Sequence, residues 1–441
     1  MRTYSSVGVE KYITLGFLSL IMAGTLLLWG ACYAGGEPVG PVDALFLSAS
    51  AVCVTGFSPV GPVDALPLAA QAILLVLVQL GGVGIMGATT LLAFMTGNRL
   101  QLRQRLFIAT EMGADSPTKV LGLLKFVVLF TAAFELAGAG ALAAKFVSEG
   151  ARPGEAVYDA VFLSINAFCS GGFAPYPDSL ARFGSSVTVP SVFMILMLAG
   201  GIGFPLMSEM RDRLCGRVSF LSPYAKIVLI STAAFTAGGA ALYVAAEWNS
   251  AFSGLTGWSR LWNALFMSVS ARGGGFYTVD YPSWSAEGLM VTIFLMFIGG
   301  APFSTAGGLK VTTFAILLLA AVSELRQEED IVVYHRRIPY STVRRALTIA
   351  FIHIITLFVA VGALSRLEPF PFASLVFEAV SALGTSGLSS GVSENLSSWG
   401  KMVIVLLMFW GRVGILTFSY SLVSREHSRN VSYPDTNIPI G

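Results

Sequence analysis

Asp43-Ala44-Leu45-Phe46 leads to Val54-Thr55-Gly56-Phe57, and three later stretches repeat the pattern. Asp159-Ala160-Val161-Phe162 leads to Ser170-Gly171-Gly172-Phe173, Asn263-Ala264-Leu265-Phe266 to Gly273-Gly274-Gly275-Phe276, and Ser374-Leu375-Val376-Phe377 to Thr385-Ser386-Gly387-Leu388. From the opening Asp, Asn or Ser to the last glycine the separations are 13, 13, 12 and 13 residues, and the copies start 116, 104 and 111 residues apart in a chain of 441. A period near a quarter of the length implies four structural units. Each copy opens on a favoured helix N-cap type, so capped helices are predicted at Asp43, Asp159, Asn263 and Ser374. The roughly ten apolar residues that follow reach ~15 Å, half the ~30 Å hydrocarbon core, so the segment enters a membrane without crossing it. Each ends at a glycine, which tolerates positive φ and close backbone approach. Non-helical backbone at membrane depth survives only where it is buried in protein or lines a watery cavity. Four such segments predict a pore lined by backbone.

The composition fits a bilayer: 55% hydrophobic and 12% charged residues, with a mean hydropathy of +0.74. That is an integral membrane protein, and a net charge of +2 gives no reason to expect nucleic acid. Apolar runs at 13–34, 120–147, 224–246 and 343–364 precede the copies, and runs at 67–95, 187–208, 287–322 and 400–423 follow them. Each has the ~20 residues a span needs. The first, Ile13 to Ala34, reads as a span and not as a cleavable signal peptide. The expected fold is an all-α membrane protein of four tandem span–pore-helix–span repeats, bounded at 12–97, 120–210, 224–325 and 340–424. Eight transmembrane helices and four re-entrant half-helices would then surround one pseudo-fourfold pore, all units in the same orientation.

Seventeen Lys and Arg fall in the connectors and termini, among them Arg99, Arg103, Arg105, Lys119, Arg336, Arg337, Arg425 and Arg429. Six surround the half-helices: Lys145, Arg152, Arg182, Arg260, Arg366 and Lys401. The positive-inside rule places both termini and the connectors in the cytoplasm and the half-helices on the outer side of the cytoplasmic membrane. Thirteen acids share that outer side, including Asp43, Asp159, Glu247, Asp280, Glu368, Glu378 and Glu394. They are expected to concentrate cations at a mouth, apart from what Asp43 and Asp159 do as caps. Glu324 to Arg345, the most charged connector, is the best landing site for a cytosolic partner. Cys32, Cys53, Cys169 and Cys215 lack metal or disulfide spacing, and Cys53 and Cys169 read as small packing residues. His335, His353 and His427 are too scattered for a metal site. No nucleophile and base converge, so neither an enzyme nor a cofactor is expected.

Potassium and sodium bear the same charge, so discrimination must come from replacing the hydration shell, which rings of backbone carbonyls can do. Half-helix C-termini favour a cation there. The carbonyl donors are read as Val54, Thr55 and Gly56; Ser170, Gly171 and Gly172; Gly273, Gly274 and Gly275; and Thr385, Ser386 and Gly387. A second register follows: Gly81-Gly82-Val83-Gly84, Gly200-Gly201-Ile202-Gly203, Gly299-Gly300-Ala301-Pro302 and Gly411-Arg412-Val413-Gly414. The first two of these read as close helix packing through small residues. Gly82 to Gly87 matches a dinucleotide fingerprint but lacks a βαβ context and is rejected as one. In the third unit Gly300, Ala301, Pro302, Phe303, Ser304, Thr305, Ala306, Gly307 and Gly308 break the span and read as a gate below the carbonyls. In the fourth, Arg412 costs ~2.5–3.5 kcal/mol near the bilayer centre, which makes a functional role the default. It is expected to face the pore, oppose cations and hydrogen-bond loop carbonyls. Arg272 is expected to brace the third segment, with Glu378 as a guessed partner, and Lys125 and Glu135 are expected near span ends.

With these residues in place the chain resembles the Trk/Ktr/HKT superfamily of potassium transporters, most closely its Ktr-type membrane subunit, from about Ile13 to Leu422. The resemblance is carried by Val52-Cys53-Val54-Thr55-Gly56, Arg272-Gly273-Gly274-Gly275-Phe276, Gly384-Thr385-Ser386-Gly387-Leu388, the 299–308 loop with Lys310, and Gly411-Arg412-Val413-Gly414. The extra N-terminal helices common in Trk-type members are missing ahead of Ile13, which favours the Ktr type. The resemblance implies potassium selectivity, because Gly56 stands where sodium-favouring members carry serine. It also implies a homodimer and a separate cytosolic, nucleotide-binding regulatory ring of RCK-type subunits. Potassium is the expected substrate ion, with sodium second. The alternatives are a sodium- or proton-coupled symporter, for which Glu135 is the candidate carboxylate, and a membrane-embedded enzyme.

Overall fold

The computed structural model describes residues 9–84, 120–280, 284–328 and 330–414. The far ends of the first and fourth following runs lie outside them, as do the Ile85–Gly87 half of the fingerprint, Arg2, Arg99, Arg103, Arg105, Lys119, Glu329, Arg425, His427 and Arg429. Helices recur in one order. The first unit is α1 (Val9–Ala34), α2 (Pro41–Val52) and α3 (Leu68–Val83); the second is α4 (Val120–Ser148), α5 (Pro153–Cys169), α6 (Thr188–Gly201) and α7 (Phe204–Leu214). The third is α8 (Pro223–Glu247), α9 (Gly257–Ser270), α10 (Ala286–Phe297) and α11 (Val311–Leu325); the fourth is α12 (Tyr340–Leu367), α13 (Phe372–Gly384) and α14 (Ser398–Val413). A two-stranded antiparallel hairpin, β1 (Val332–Val333) and β2 (Arg336–Arg337), joins α11 to α12.

Ile13–Ala34, Lys125–Ser148, Pro223–Glu247 and Tyr340–Leu367 are long and apolar enough to cross a membrane. Only 28%, 28%, 17% and 22% of their hydrophobic windows is buried in protein, so these helices show their apolar side chains outward, as lipid-facing helices do. The short helices α2, α5, α9 and α13 lie inside. The phenylalanine that closes the four-residue opening of each copy, Phe46, Phe162, Phe266 or Phe377, is 0–1% exposed. The short helices have 12, 17, 14 and 13 residues, or ~18–26 Å, still less than a full core thickness.

Their starts correct the sequence reading. The N-caps are Gly40, Arg152, Thr256 and Pro371, and none makes a side-chain cap hydrogen bond. Pro41 and Pro153, with φ already fixed for a helix and no N–H to satisfy, begin their helices before the expected caps. Asp43 instead pairs with Lys401 at 2.6 Å, Asp159 accepts from the Tyr176 hydroxyl at 2.6 Å, and Asn263 donates to the Gly184 and Ser259 carbonyls.

The units close on themselves. Each long helix packs on its own short helix: α1 on α2, α4 on α5, α8 on α9 and α12 on α13. The helix after each short helix also packs on the short helix of the next unit: α3 on α5, α6 on α9, α10 on α13, and α14 back on α2. A head-to-tail contact that returns to its origin after four steps makes a ring. The Asp43–Lys401 pair fastens the joint between last and first units. Within units, serines two residues after the buried phenylalanine tie short to long helix: Ser48 to the Ile21 carbonyl at 2.7 Å, Ser164 to that of Glu135 at 2.7 Å, and Ser268 to that of Thr236 at 2.9 Å.

The following runs differ from one another. At 187–208 the helix breaks, and α6 and α7 meet at 99°. The 287–322 run is interrupted between α10 and α11, as its Gly/Pro cluster predicts. Two starts share one device. Glu247 accepts from Ser285 N–H and Oγ, and Glu368 accepts from Ser397 N–H and Oγ. Those serines cap α10 and α14 through Gly288 N–H and Gly400 N–H, each at 3.1 Å. Two of the acids assigned to the outer face are therefore buried acceptors.

Candidate functional site

The four short helices end in backbone of one kind. Positive φ occurs at Val54 (56°) and Gly56 (101°), Ser170 (63°) and Gly172 (71°), Gly273 (118°) and Gly275 (74°), and Thr385 (48°) and Gly387 (82°). Left-handed residues two apart turn successive carbonyls toward the same side of a segment. The middle N–H of each segment is held back into its own helix: Thr55 to the Ser50 carbonyl at 2.8 Å, Gly171 to Asn166 at 2.7 Å, Gly274 to Ser270 at 2.6 Å, and Ser386 to Ser381 at 2.9 Å. The carbonyl oxygens of Thr55, Gly171 and Ser386 each come within 3.0 Å of where a Cβ on a neighbouring segment's closing glycine would lie.

The segments meet there. A Cβ placed on Gly56 would lie 2.7 Å from the Gly171 carbonyl oxygen and 2.7 Å from Gly172 Cα. One on Gly172 would lie 3.2 Å from Gly275 Cα, one on Gly275 2.8 Å from the Ser386 oxygen, and one on Gly387 3.2 Å from Gly56 Cα. The ring of contacts runs from the first segment through the second, third and fourth and back. Side chains behind it brace the turns, with Ser50 Oγ accepting from Gly56 N–H at 3.1 Å and Ser270 Oγ accepting from Phe276 N–H at 3.0 Å. All four closing glycines open into a cavity of about 640 Å³ whose rim carries Asp280 and Glu394. Glu378 takes no part in that rim. It is buried and accepts from Ser389, Ser390 and Ser393.

On the other side of the ring lies the 300–308 loop. Gly307 N–H donates to Thr385 Oγ1 at 2.9 Å, Thr305 Oγ1 is 3.1 Å from Ser170 Oγ, and a Cβ on Gly273 would meet Ala306 Cβ at 2.9 Å. The loop thus touches three of the four segments. Its base is pinned by Gly299 N–H to the Leu309 carbonyl and Val311 N–H to that of Gly300. Ala301 and Thr305 N–H donate to Gly201 and Gly200 at the α6–α7 break, and Phe303 accepts from Phe204 N–H there. Pro302 accepts from Tyr224, and Ser304 donates to Ala301. Gly308 turns at φ 69°. Two cations hold consecutive carbonyls of the loop: Lys310 Nζ the Ala306 oxygen at 2.6 Å, and Arg412 Nη1 the Thr305 oxygen. Arg412 Nη2 also donates to the carbonyls of Gly81 and Gly82 at the end of α3.

Four expectations change. Arg272 does not meet Glu378; it donates to Thr236 Oγ1 and the Ser268 carbonyl. Glu135 lies midway along α4, with Gln79 Nε2 3.3 Å from one carboxylate oxygen and Cys169 Sγ 3.8 Å from the other. Cys53 and Cys169 are both fully buried, and Cys169, read as packing alone, also has polar neighbours. The second glycine register does two jobs. Gly81, Gly200 and Gly411 allow close packing on Val52, Phe168 and Leu383 at the ends of the short helices. Gly84 and Gly414 end helices at φ 91° and 88°, and Gly203 at 89° precedes α7 at the α6–α7 break, a turn that packing did not anticipate. Sequence reading also missed the helix ties, although Ser48, Ser164 and Ser268 stand at one position of three copies.

Lipid-facing long helices around a closed ring of backbone turns define a multi-pass membrane protein with a polar centre made from the main chain. The family profile described as "TrkH: Cation transport protein" matches residues 12–432, and the chain belongs to that family. It is 32% identical to the Ktr system potassium uptake protein B of Bacillus subtilis, over 98% of this chain and 96% of that one. It is 33% identical to the potassium/sodium uptake protein NtpJ of Enterococcus hirae, over 100% and 99%. The crystal structure of the potassium transporter TrkH from Vibrio parahaemolyticus superposes with a TM-score of 0.77 at 20% identity, covering 96% of this chain and 86% of that one. A cation-transport family settles the enzyme alternative: the chain is a transporter.

Proposed function

We propose that this chain takes up potassium across the cytoplasmic membrane through a selectivity filter made of main-chain oxygens. Val54–Gly56, Ser170–Gly172, Gly273–Gly275 and Thr385–Gly387 supply the carbonyls, and a dehydrated ion exchanges water for them. The observation that carries this reading is the closed contact ring of Gly56, Gly172, Gly275 and Gly387 with positive φ in each. The helix C-termini that end at the ring add their negative dipole ends. Asp280 and Glu394 raise the cation concentration at the mouth. The 300–308 loop is the gate, and Arg412 and Lys310 are its latches. Eight spans and four re-entrant helices form units 12–97, 120–210, 224–325 and 340–424, with both termini cytoplasmic. The protein works as a homodimer, regulated by a cytosolic ring of RCK-type nucleotide-binding subunits, with sodium as the second ion.

Expression in cells lacking potassium uptake should restore growth at low potassium and give saturable rubidium influx. Growth that stays dependent on high potassium, with no rubidium entry from protein shown to be in the membrane, would overturn the proposal. Glu135, bonded to Gln79 beside the second segment, favours coupled symport as the second reading. On the channel-like reading, rubidium influx persists when the sodium and proton gradients are collapsed in turn, and Glu135→Gln transports like the parent. Influx that follows one gradient in the parent and becomes independent of it in Glu135→Gln would establish coupling instead.

A further inference from the structure

Away from the pore, α8, α10 and α11 enclose an outward-facing furrow of about 520 Å³. Small residues make its floor, Ala234 and Gly238 on α8, and large exposed ones make its walls, Phe294 on α10 and Leu318 on α11. A Cβ on Gly238 would meet nothing within 4 Å, so the missing side chain is part of the hollow. From Ile227 to Leu242 the furrow follows α8 for ~22 Å, longer than the ~15 Å of one leaflet's hydrocarbon. A furrow on a lipid-facing side is filled by hydrocarbon.

Its hairpin end is different. Tyr334 closes it, and Lys226 Nζ sits 4.6 Å from the centre of that ring. Arg337 is matched by Asp330 at 2.8 Å, whereas Lys226 has no carboxylate partner among the described residues. Exposed Arg336 on β2 pairs with Val333, which also lines the furrow. Cations at a membrane surface attract anionic headgroups. We propose that the furrow binds one anionic phospholipid, an acyl chain lying along α8 between α10 and α11 and the phosphate meeting Lys226 and Arg336. The site abuts both halves of the broken span: Phe314 on α11 packs against Phe235 at 5.5 Å and Phe294 at 6.2 Å. A chain wedged there braces the two helices that carry the 298–310 loop.

The test is native mass spectrometry of the purified full chain, stripped of lipid and given equal amounts of phosphatidylglycerol and phosphatidylcholine. Two cations at the membrane surface, at about 1 kcal/mol each, make the phosphatidylglycerol adduct about thirtyfold the stronger. Lys226→Gln should leave about fivefold, and Lys226→Gln with Arg336→Gln should bring the two to parity. Gly238→Leu, which fills open space with a good helix former, should remove the bound lipid while the oligomer is unchanged. Equal adducts in the parent, or undiminished adducts in Gly238→Leu, would overturn the assignment. So would a Gly238→Leu protein that loses its oligomer and keeps its lipid, because a second copy would then be the occupant.

Discussion

Replacing Gly56 with serine should cut discrimination between potassium and sodium by about tenfold or more, read as the ratio of rubidium to sodium influx. The first reason is backbone. Gly56 sits at φ 101°, where an L residue costs about 1–3 kcal/mol. The second is space. Its Cβ would fall 2.7 Å from both the Gly171 oxygen and Gly172 Cα, closer than real contacts allow and against backbone on both counts. Nothing nearby is the free end of a flexible side chain, so the first or second segment must shift. On the proposed filter reading, a shift of a few tenths of an ångström changes how many oxygens an ion meets at once. The serine hydroxyl also brings its own water or oxygen to the ring, which suits a smaller, more strongly hydrated ion. Gly172 and Gly387 make equivalent contacts, so Gly387→Ala should lose discrimination too. A Gly56→Ser protein with an unchanged influx ratio would remove these segments from ion selection.

The ring was legible because its determinants are local and repeated. A polar opening residue, a buried phenylalanine, an apolar run and a glycine recur, with 12 or 13 residues from the first to the last, and one helix geometry explains all four. Helix starts were less legible, because Pro41 and Pro153 outrank the acid that follows them. The glycines of the second register could not be sorted by type. Gly81 and Gly84 are the same residue three apart, yet one admits a neighbouring backbone and the other turns the chain. Which role each takes depends on what the fold presses against it. Glu135 was misplaced because α4 runs for 29 residues from Val120, so a carboxylate expected near an end falls at the middle. The partner of Arg272 depends on how α8 crosses α9, and no periodicity within either helix encodes that. Glu247 and Glu368 are a middle case: they stand 38 and 29 residues before the serines they hold, and only the common hydrogen bonds reveal the match.

Arg412→Ala should raise rubidium influx about tenfold, with Arg412→Lys in between. The guanidinium joins two parts of the molecule that the ring does not hold together: the Thr305 carbonyl of the loop and the Gly81 carbonyl at the end of α3. Hydrogen bonds to a charged group are each worth about 1.5–3 kcal/mol, so losing the bond to Thr305 alone shifts a closed-to-open equilibrium by a factor of ten or more. Lys310 still holds Ala306 in the variant, so the loop is loosened without being released. On the proposed reading the deletion also removes a positive charge from the cation path, which lowers the barrier in the same direction. Lysine keeps the charge and loses the fork that spans two carbonyls, and so it separates the two effects: parental flux in Arg412→Lys assigns the barrier to charge, and alanine-like flux assigns it to the latch. The competing view makes Arg412 a purely architectural strut between α14 and α3. That view predicts a lower melting temperature and less protein in the membrane, with unchanged transport per folded molecule. Identical uptake kinetics per molecule in Arg412→Ala would decide for the strut and leave the 300–308 loop without a latch on this side.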